Sequence, residues 1–127
     1  MKLHQLTLAT ATALALGIGG AMAANAPGVT DTEITIGNTN PYSGPASSYS
    51  VIGKAIGACW NWVNDNGGIN GRKIKWISYD DGYSPPKTKE QFRKLIERDK
   101  VAFIFQSLGT PTNSAVHKYM NKKKVPH

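Results

Sequence analysis

The chain has 127 residues, with 15 Lys and Arg against 8 Asp and Glu, which gives a formal net charge of +7. Hydrophobic residues make up 40% and charged residues 18%, a globular composition that excludes a disordered or fibrous chain. A single Cys excludes a disulfide framework and a cysteine-based zinc site. The length accommodates one small domain or part of a larger one.

The first 23 residues have the pattern of an export signal. Lys2 supplies a positive start, residues 6–18 carry no charge, and Ala21-Met22-Ala23 is a small-residue cleavage site. An uncleaved membrane anchor is the alternative, but Thr and Gly interrupt a stretch that lacks the ~20 strongly apolar residues of a spanning helix. We therefore predict a signal peptide at residues 1–23, export to the periplasm, and a mature chain that begins at Ala24.

Export also bears on the single cysteine, because an exposed unpaired thiol is prone to oxidation outside the cytoplasm. Ile52, Ile56, Cys59 and Val63 recur at the spacing of one helix face. We therefore predict that Cys59 is buried as a small hydrophobic residue and is not a reactive thiol.

The mature chain alternates between strand and helix patterns. We predict strands at 33–37, 73–79 and 101–105, and helices at about 49–66, 85–99 and 112–121. Strands that alternate with helices indicate right-handed βαβ units, and therefore an α/β fold with a doubly wound parallel sheet. Val125-Pro126 has the pattern of the start of a fourth strand. Three strands leave the sheet with open edges, so we interpret the chain as the front part of a larger lobe.

Ligands of open parallel sheets bind beyond the carboxyl ends of the strands. Loops with hydroxyl groups, glycines and aromatic rings follow each predicted strand, at 41–49, 80–84 and 107–112. Four hydroxyl groups could bind a carboxylate there, together with N–H groups at helix starts: Ser43, Ser107, Thr110 and Thr112. Three rings could stack on an apolar part of a ligand: Tyr42, Tyr49 and Tyr83. The alternative, that the Ser and Thr residues only cap helices and form turns, stays open.

Three segments carry a family resemblance: Ser43-Gly44-Pro45, residues 66–73 with the sequence NGGINGRK, and Tyr79-Asp80-Asp81. Together they resemble the periplasmic solute-binding components of ABC importers, of the branched-chain amino acid (Leu/Ile/Val-binding) type. The resemblance covers essentially the whole mature chain. It implies the type I periplasmic binding protein fold, in which two α/β lobes close on a ligand, without catalysis, metal or cofactor. Residues 24–127 would then be the incomplete N-terminal part of the first lobe.

The resemblance also implies which residues bind the ligand. Tyr49 matches a ligand-contacting Tyr in the first turn of the first helix, and residues 107–112 match the loop that holds the ligand carboxylate. Gly109 stands where amino-acid binders usually have Ser, which removes a hydroxyl group and weighs against an aliphatic amino acid. The predicted ligand is a small amino acid or organic carboxylate. The candidate ligand-binding residues are Tyr42, Ser43, Tyr49, Ser107, Leu108, Gly109, Thr110 and Thr112.

The predicted function is capture of this ligand in the periplasm and its delivery to an ABC permease in the inner membrane. A second lobe would close over the ligand, so the 127 residues alone are not expected to bind it tightly. Two alternatives stay open, a ligand-sensing lobe of a receptor or regulator and a small secreted α/β enzyme.

The remaining polar and charged groups are explained by structural or surface roles, and not by catalysis, metal binding or nucleic-acid binding. Asp80 and Asp81 are adjacent on a strand and point to opposite faces, so a shared catalytic or metal site is not expected. With Gly82 following, they are predicted to have a turn and N-cap role. His117 is isolated on the third helix. Lys and Arg of the second helix alternate with acidic residues, which indicates a solvated face and no nucleic-acid partner.

Overall fold

The computed structural model describes residues 26–127, so the predicted signal peptide lies outside the described residues. Three strands alternate with three helices: β1 Glu33–Asn40, α1 Ser50–Asp65, β2 Lys73–Asp80, α2 Pro85–Arg93, β3 Phe103–Ile104 and α3 Thr110–Lys123. A 3-10 turn at Ser47–Tyr49 leads into α1, and a π-helical turn at Lys94–Arg98 extends α2. Within residues 26–127, no helix has the length and apolar character needed to cross a membrane.

The three strands form one parallel sheet in the order β2-β1-β3, which confirms the predicted fold class. β1 pairs with β2 from Glu33↔Lys73 to Asn40↔Asp80, and it pairs with β3 at Ile36↔Phe103. β1 and β2 both run further than predicted, because the polar residues at their ends stay in the ladder. The predicted fourth strand is present only as a contact, in which the Ile104 N–H donates to the Pro126 carbonyl at 2.9 Å.

The two faces of the sheet are covered differently. The hydrophobic core lies on the face covered by α2, its π-helical turn and α3, and its buried residues are Phe92, Leu95, Ile96, Val101, Ile104, Val116 and Met120. On the other face, α1 lies over β1 and β2. Gly37 faces the core, where an added Cβ would lie 2.8 Å from the Ile104 side chain. This glycine lets α2 and β3 approach the centre of the sheet closely.

Cys59 corrects the prediction for α1, because its side chain is exposed and not buried. The helix meets the sheet through Gly53 and Gly57 and through Trp60, whose ring packs edge-on against Phe105 at 5.7 Å between centroids. Asn64 completes this contact face with hydrogen bonds to the backbone of Ile74. The helix face that carries Ile52, Ile56 and Cys59 is therefore not the face that contacts the sheet. The contact face contains glycines, which allow the helix to approach the strands closely.

Candidate functional site

Three loops meet at the carboxyl edge of the sheet: the first loop (residues 41–46), the second loop (residues 81–84) and the third loop (residues 105–109). The end of β1 joins all three, because the Asn40 carbonyl accepts from the Asp81 N–H at 3.2 Å and the Thr39 carbonyl accepts from the Leu108 N–H at 3.3 Å. The connections leave β1 and β3 toward opposite faces of the sheet. The crevice between these two strands is therefore the topological switch point, where ligands of such sheets bind.

Asp80, the last residue of β2, holds the first loop in place. Its carboxylate accepts hydrogen bonds from the N–H groups of Tyr42 (2.9 Å) and Gly82 (3.0 Å), and from the N–H and hydroxyl groups of Ser43. Lys87 of α2 pairs with it at 2.9 Å. Partial burial opposes ionisation, but the bonds from Ser43, Lys87 and Gly82 outweigh it and hold the pKa of Asp80 well below its usual range.

Asp81 stabilises the second loop. Its side chain is fully buried, and it accepts from the Tyr83 N–H and from the Thr88 hydroxyl, each at 2.9 Å. The carboxylate thereby fixes the second loop against the first turn of α2. The predicted turn role is seen for both aspartates, since Asp80 accepts from the Gly82 N–H and Asp81 from the Tyr83 N–H. The predicted N-cap role is wrong, because the N-cap of α2 is Ser84 and no side chain caps this helix.

A chain of hydrogen bonds connects the three strand ends on the α1 side of the sheet. The Tyr42 hydroxyl bonds to Ser78 at 2.6 Å, Ser78 donates to the Asn38 amide oxygen at 2.7 Å, and Asn38 donates to the carbonyls of Phe105 and Gln106. Buried polar groups are stable when every member finds a partner, as here. The sequence pattern did not single out Asn38, Ser78 or Asp80 as site-forming residues. The signal available was an unusual run of polar residues, Asn38-Thr39-Asn40, at the end of a core strand.

Asn40 links this edge to the start of α1. We orient its amide so that the nitrogen donates to the Tyr49 carbonyl at 3.1 Å and the oxygen accepts from the Gly53 N–H at 3.2 Å, because this satisfies both atoms. Tyr49 itself is 56% exposed, so its ring stands at the rim of the edge.

The four hydroxyl groups predicted to bind a carboxylate differ in whether other groups of the protein already occupy them. Ser43 is bonded to Asp80, and Ser107 is bonded to Asn113 at 2.7 Å and to His127. Thr112 is fully buried, and its hydroxyl donates to the carbonyls of Leu108 and Gly109. Thr110, the first residue of α3, is exposed. Of the four hydroxyl groups, that of Thr110 remains open to a ligand in the described part of the chain.

The third loop ends in Gly109, whose backbone has φ +103°, a conformation that residues with a Cβ rarely adopt. It leads directly into α3, whose first turn contains no acidic residue. The first N–H groups of a helix have no partner within it and carry partial positive charge, which favours an anion. The second residue of α3 is Pro111, which has no N–H, and Thr112 is fully buried, so the N–H donor on an exposed residue of this turn is that of Thr110. Residues 26–127 contain no cluster of His, Cys, Asp and Glu that could hold a metal ion.

The model of a family described as periplasmic binding protein matches residues 33–127, which includes all of the strands and loops described above. The chain therefore belongs to the periplasmic binding protein family. Solved structures agree in fold. One is a fatty acid ABC transporter substrate-binding protein from Thermomonospora curvata, with 32% identity, a TM-score of 0.68, and coverage of 79% of this chain and 25% of that one.

Two further structures widen the comparison. A solute-binding protein of an ABC transporter from Rhodopseudomonas palustris BisB5, in complex with 3,4-dihydroxybenzoic acid, is 30% identical with a TM-score of 0.64, over 74% of this chain and 26% of that one. The branched-chain amino acid transporter substrate-binding protein LivJ from Streptococcus pneumoniae, in complex with isoleucine, is 22% identical with a TM-score of 0.70, over 75% and 28%. Because the identity is only 22%, the LivJ structure shows likeness of fold alone.

The chain spans about a quarter of the length of these structures. They are substrate-binding proteins of transporters and not enzymes, in agreement with the sequence-based prediction. Among curated proteins, none matches this sequence.

Proposed function

We propose that this protein is the substrate-binding component of an ABC importer, which captures a small amino acid or organic carboxylate in the periplasm and delivers it to a membrane permease. Family membership supports the class of protein. The predicted ligand chemistry rests on the position of the third loop, which leads into α3 at the switch point between β1 and β3. The N–H and hydroxyl groups of the exposed Thr110 at that point suit a carboxylate. Fatty acids and 3,4-dihydroxybenzoic acid, the compounds with which the two structures of 30% identity or more are associated, both carry one.

In this proposal the described residues form one wall of the binding cleft. The hydroxyl and N–H groups of Thr110 at the start of α3 bind the carboxylate, and Tyr49 borders the ligand from the rim. Ser43, Ser107 and Thr112 hold the loops through their own hydrogen bonds, and Tyr42 supports them through Ser78. Leu108 and Gly109 contribute backbone to the cleft. A second lobe closes over the ligand, and its contacts shift the equilibrium toward the closed form that the permease recognises.

Binding measurements on the full-length gene product test this function. Isothermal titration calorimetry with leucine, benzoate, 4-hydroxybenzoate and octanoate is expected to detect at least one ligand. Thr110→Ala should weaken its binding by about tenfold, because a hydrogen bond to a charged carboxylate is lost. Thr32→Ala, an exposed Thr at the opposite end of the sheet, is the matched control and should bind as the wild type does. Absence of binding for all four compounds would contradict the proposal.

A further inference from the structure

Tyr83 is held in an unusual conformation at the edge of the proposed cleft. Its φ of +61° lies in the left-handed region, which a bulky residue occupies only when its surroundings enforce it. The buried Asp81 does so, because its carboxylate accepts from the Tyr83 N–H and its carbonyl accepts from the Ser84 N–H, both at 2.9 Å. The second loop therefore fixes the direction in which the Tyr83 side chain leaves the backbone.

The ring lies directly over Gly109 of the third loop. A Cβ added to Gly109 would be 2.4 Å from Cε2 and 2.8 Å from Cζ of Tyr83, so the ring fills the space that a side chain at 109 would take. β1 separates β2 from β3, and neighbouring strands are about 4.8 Å apart. The ring starts after β2 and reaches the loop after β3, so it joins the second loop to the third loop at the carboxyl edge of the sheet.

Gly109 and Tyr83 thus act as a pair. A serine at 109 would require both that the ring move away and that a residue with a Cβ adopt φ +103°. The space beside Gly109 is therefore filled by an aromatic ring from the neighbouring loop. Tyr83 keeps 36% of its surface exposed, so part of the ring is available to a ligand.

The charged groups at this edge offer no partner for an ammonium group on this wall of the proposed cleft. Asp80 is saturated by its bonds to the first loop and Lys87, and Asp81 is fully buried. The first turns of α1 and α3 contain no acidic residue. Among residues 26–127, the strand ends therefore offer N–H donors and an apolar ring, and no carboxylate that is free to pair with an α-ammonium.

We propose that Tyr83 is a specificity-determining residue that stacks on the ligand, and that the ligand class is a planar aromatic carboxylate and not an aliphatic α-amino acid. This inference rests on the proposed function, since it names the ligand of the same cleft. The carboxylate binds at the start of α3, and the ring of the ligand lies against the exposed part of Tyr83. Offset or edge-to-face packing of two rings adds affinity beyond the area that they bury.

Calorimetry on the full-length gene product tests the inference with benzoate, 4-hydroxybenzoate and leucine as probes. The wild type is expected to bind an aromatic acid more tightly than leucine. Tyr83→Ala should weaken aromatic binding by about tenfold, whereas Tyr83→Phe, which keeps the ring, should stay within about threefold of the wild type. Trp62→Ala, which removes an exposed ring on α1, is the control for an aromatic deletion outside the cleft. Thermal unfolding verifies that each variant is folded.

The outcomes separate this inference from the proposed function. If the wild type prefers leucine, or if Tyr83→Ala binds aromatic acids as the wild type does, the specificity role is overturned while a solute-binding function stands. If the aromatic acids, leucine and octanoate all fail to bind, both the specificity role of Tyr83 and the proposed function are contradicted. Should Tyr83→Ala fail to fold, an unchanged preference in the folded Tyr83→Leu variant, which is apolar but not aromatic, would equally overturn the stacking role.

Discussion

Gly53→Ala is expected to lower the free energy of unfolding by about 3 kcal/mol, although exchanging Gly for Ala inside a helix normally stabilises it by about 1 kcal/mol. The added Cβ would lie 2.2 Å from the Tyr42 hydroxyl oxygen, 2.9 Å from Cζ of the same ring and 3.0 Å from the Asn40 amide. Relief of this overlap requires Tyr42 to leave Ser78, which breaks the hydrogen-bond chain across the strand ends. Urea denaturation of the full-length gene product, followed by circular dichroism, measures the loss.

Gly57→Ala, one helical turn further along α1, is the matched control. Its added Cβ would meet the Trp76 ring at 3.5 Å, an ordinary van der Waals distance, so the variant should be as stable as the wild type or up to about 1 kcal/mol more stable. Equal stability of the Gly53→Ala and Gly57→Ala variants would contradict the close approach of Tyr42 to α1.

Asp80→Asn should lower the free energy of unfolding by about 2 kcal/mol at neutral pH. The amide oxygen can still accept from the N–H groups of Tyr42, Ser43 and Gly82, which all donate to Oδ1 of the carboxylate. The amide nitrogen then replaces Oδ2, so it faces the donors of Lys87 and the Ser43 hydroxyl, and the charge that binds Lys87 is lost. Urea denaturation at pH 7 measures the effect. Asp65→Asn, an exposed carboxylate at the end of α1, is the control and should change stability by less than about 0.5 kcal/mol.

The pH dependence of the Asp80 effect has a defined sign. The pKa of Asp80 is lower in the folded protein than its ordinary value of 3.8, so the unfolded chain binds more protons at acidic pH. The stabilising contribution is complete above the unfolded pKa and is lost as the pH falls below about 4. The stability gap between the wild type and Asp80→Asn should therefore shrink between pH 5 and pH 2. A gap that stays constant over this range would contradict the role of the ionised carboxylate.

The sequence predicted the fold more completely than the site. The order of strands and helices follows from local signals, such as the alternation in β1, the glycines after α1 and the prolines that open α2, and these signals do not depend on tertiary contacts. The parallel sheet then follows from the chirality of βαβ units. The loops that carry the candidate site were also located correctly, because the carboxyl ends of parallel strands share one edge.

The partners within the site could not be predicted from local pattern. Asp80 organises a loop that lies 37 residues earlier in the sequence, at Ser43, and Asn38 binds carbonyls 67 and 68 residues later. Such contacts depend on the register of the strands, which no local pattern specifies. Cys59 illustrates the same limit for burial, since the contact face of α1 was set by glycines that permit close approach and not by its most apolar residues.

The anchoring of the first loop by Asp80 has an energetic consequence for ligand capture. A loop that is already immobilised loses little conformational entropy when a solute arrives. In the proposed mechanism, the entropic penalty of binding is thus shifted away from this wall and onto the rigid-body motion of the second lobe. Affinity in such a receptor can be tuned at a hinge without rebuilding the surface that recognises the solute.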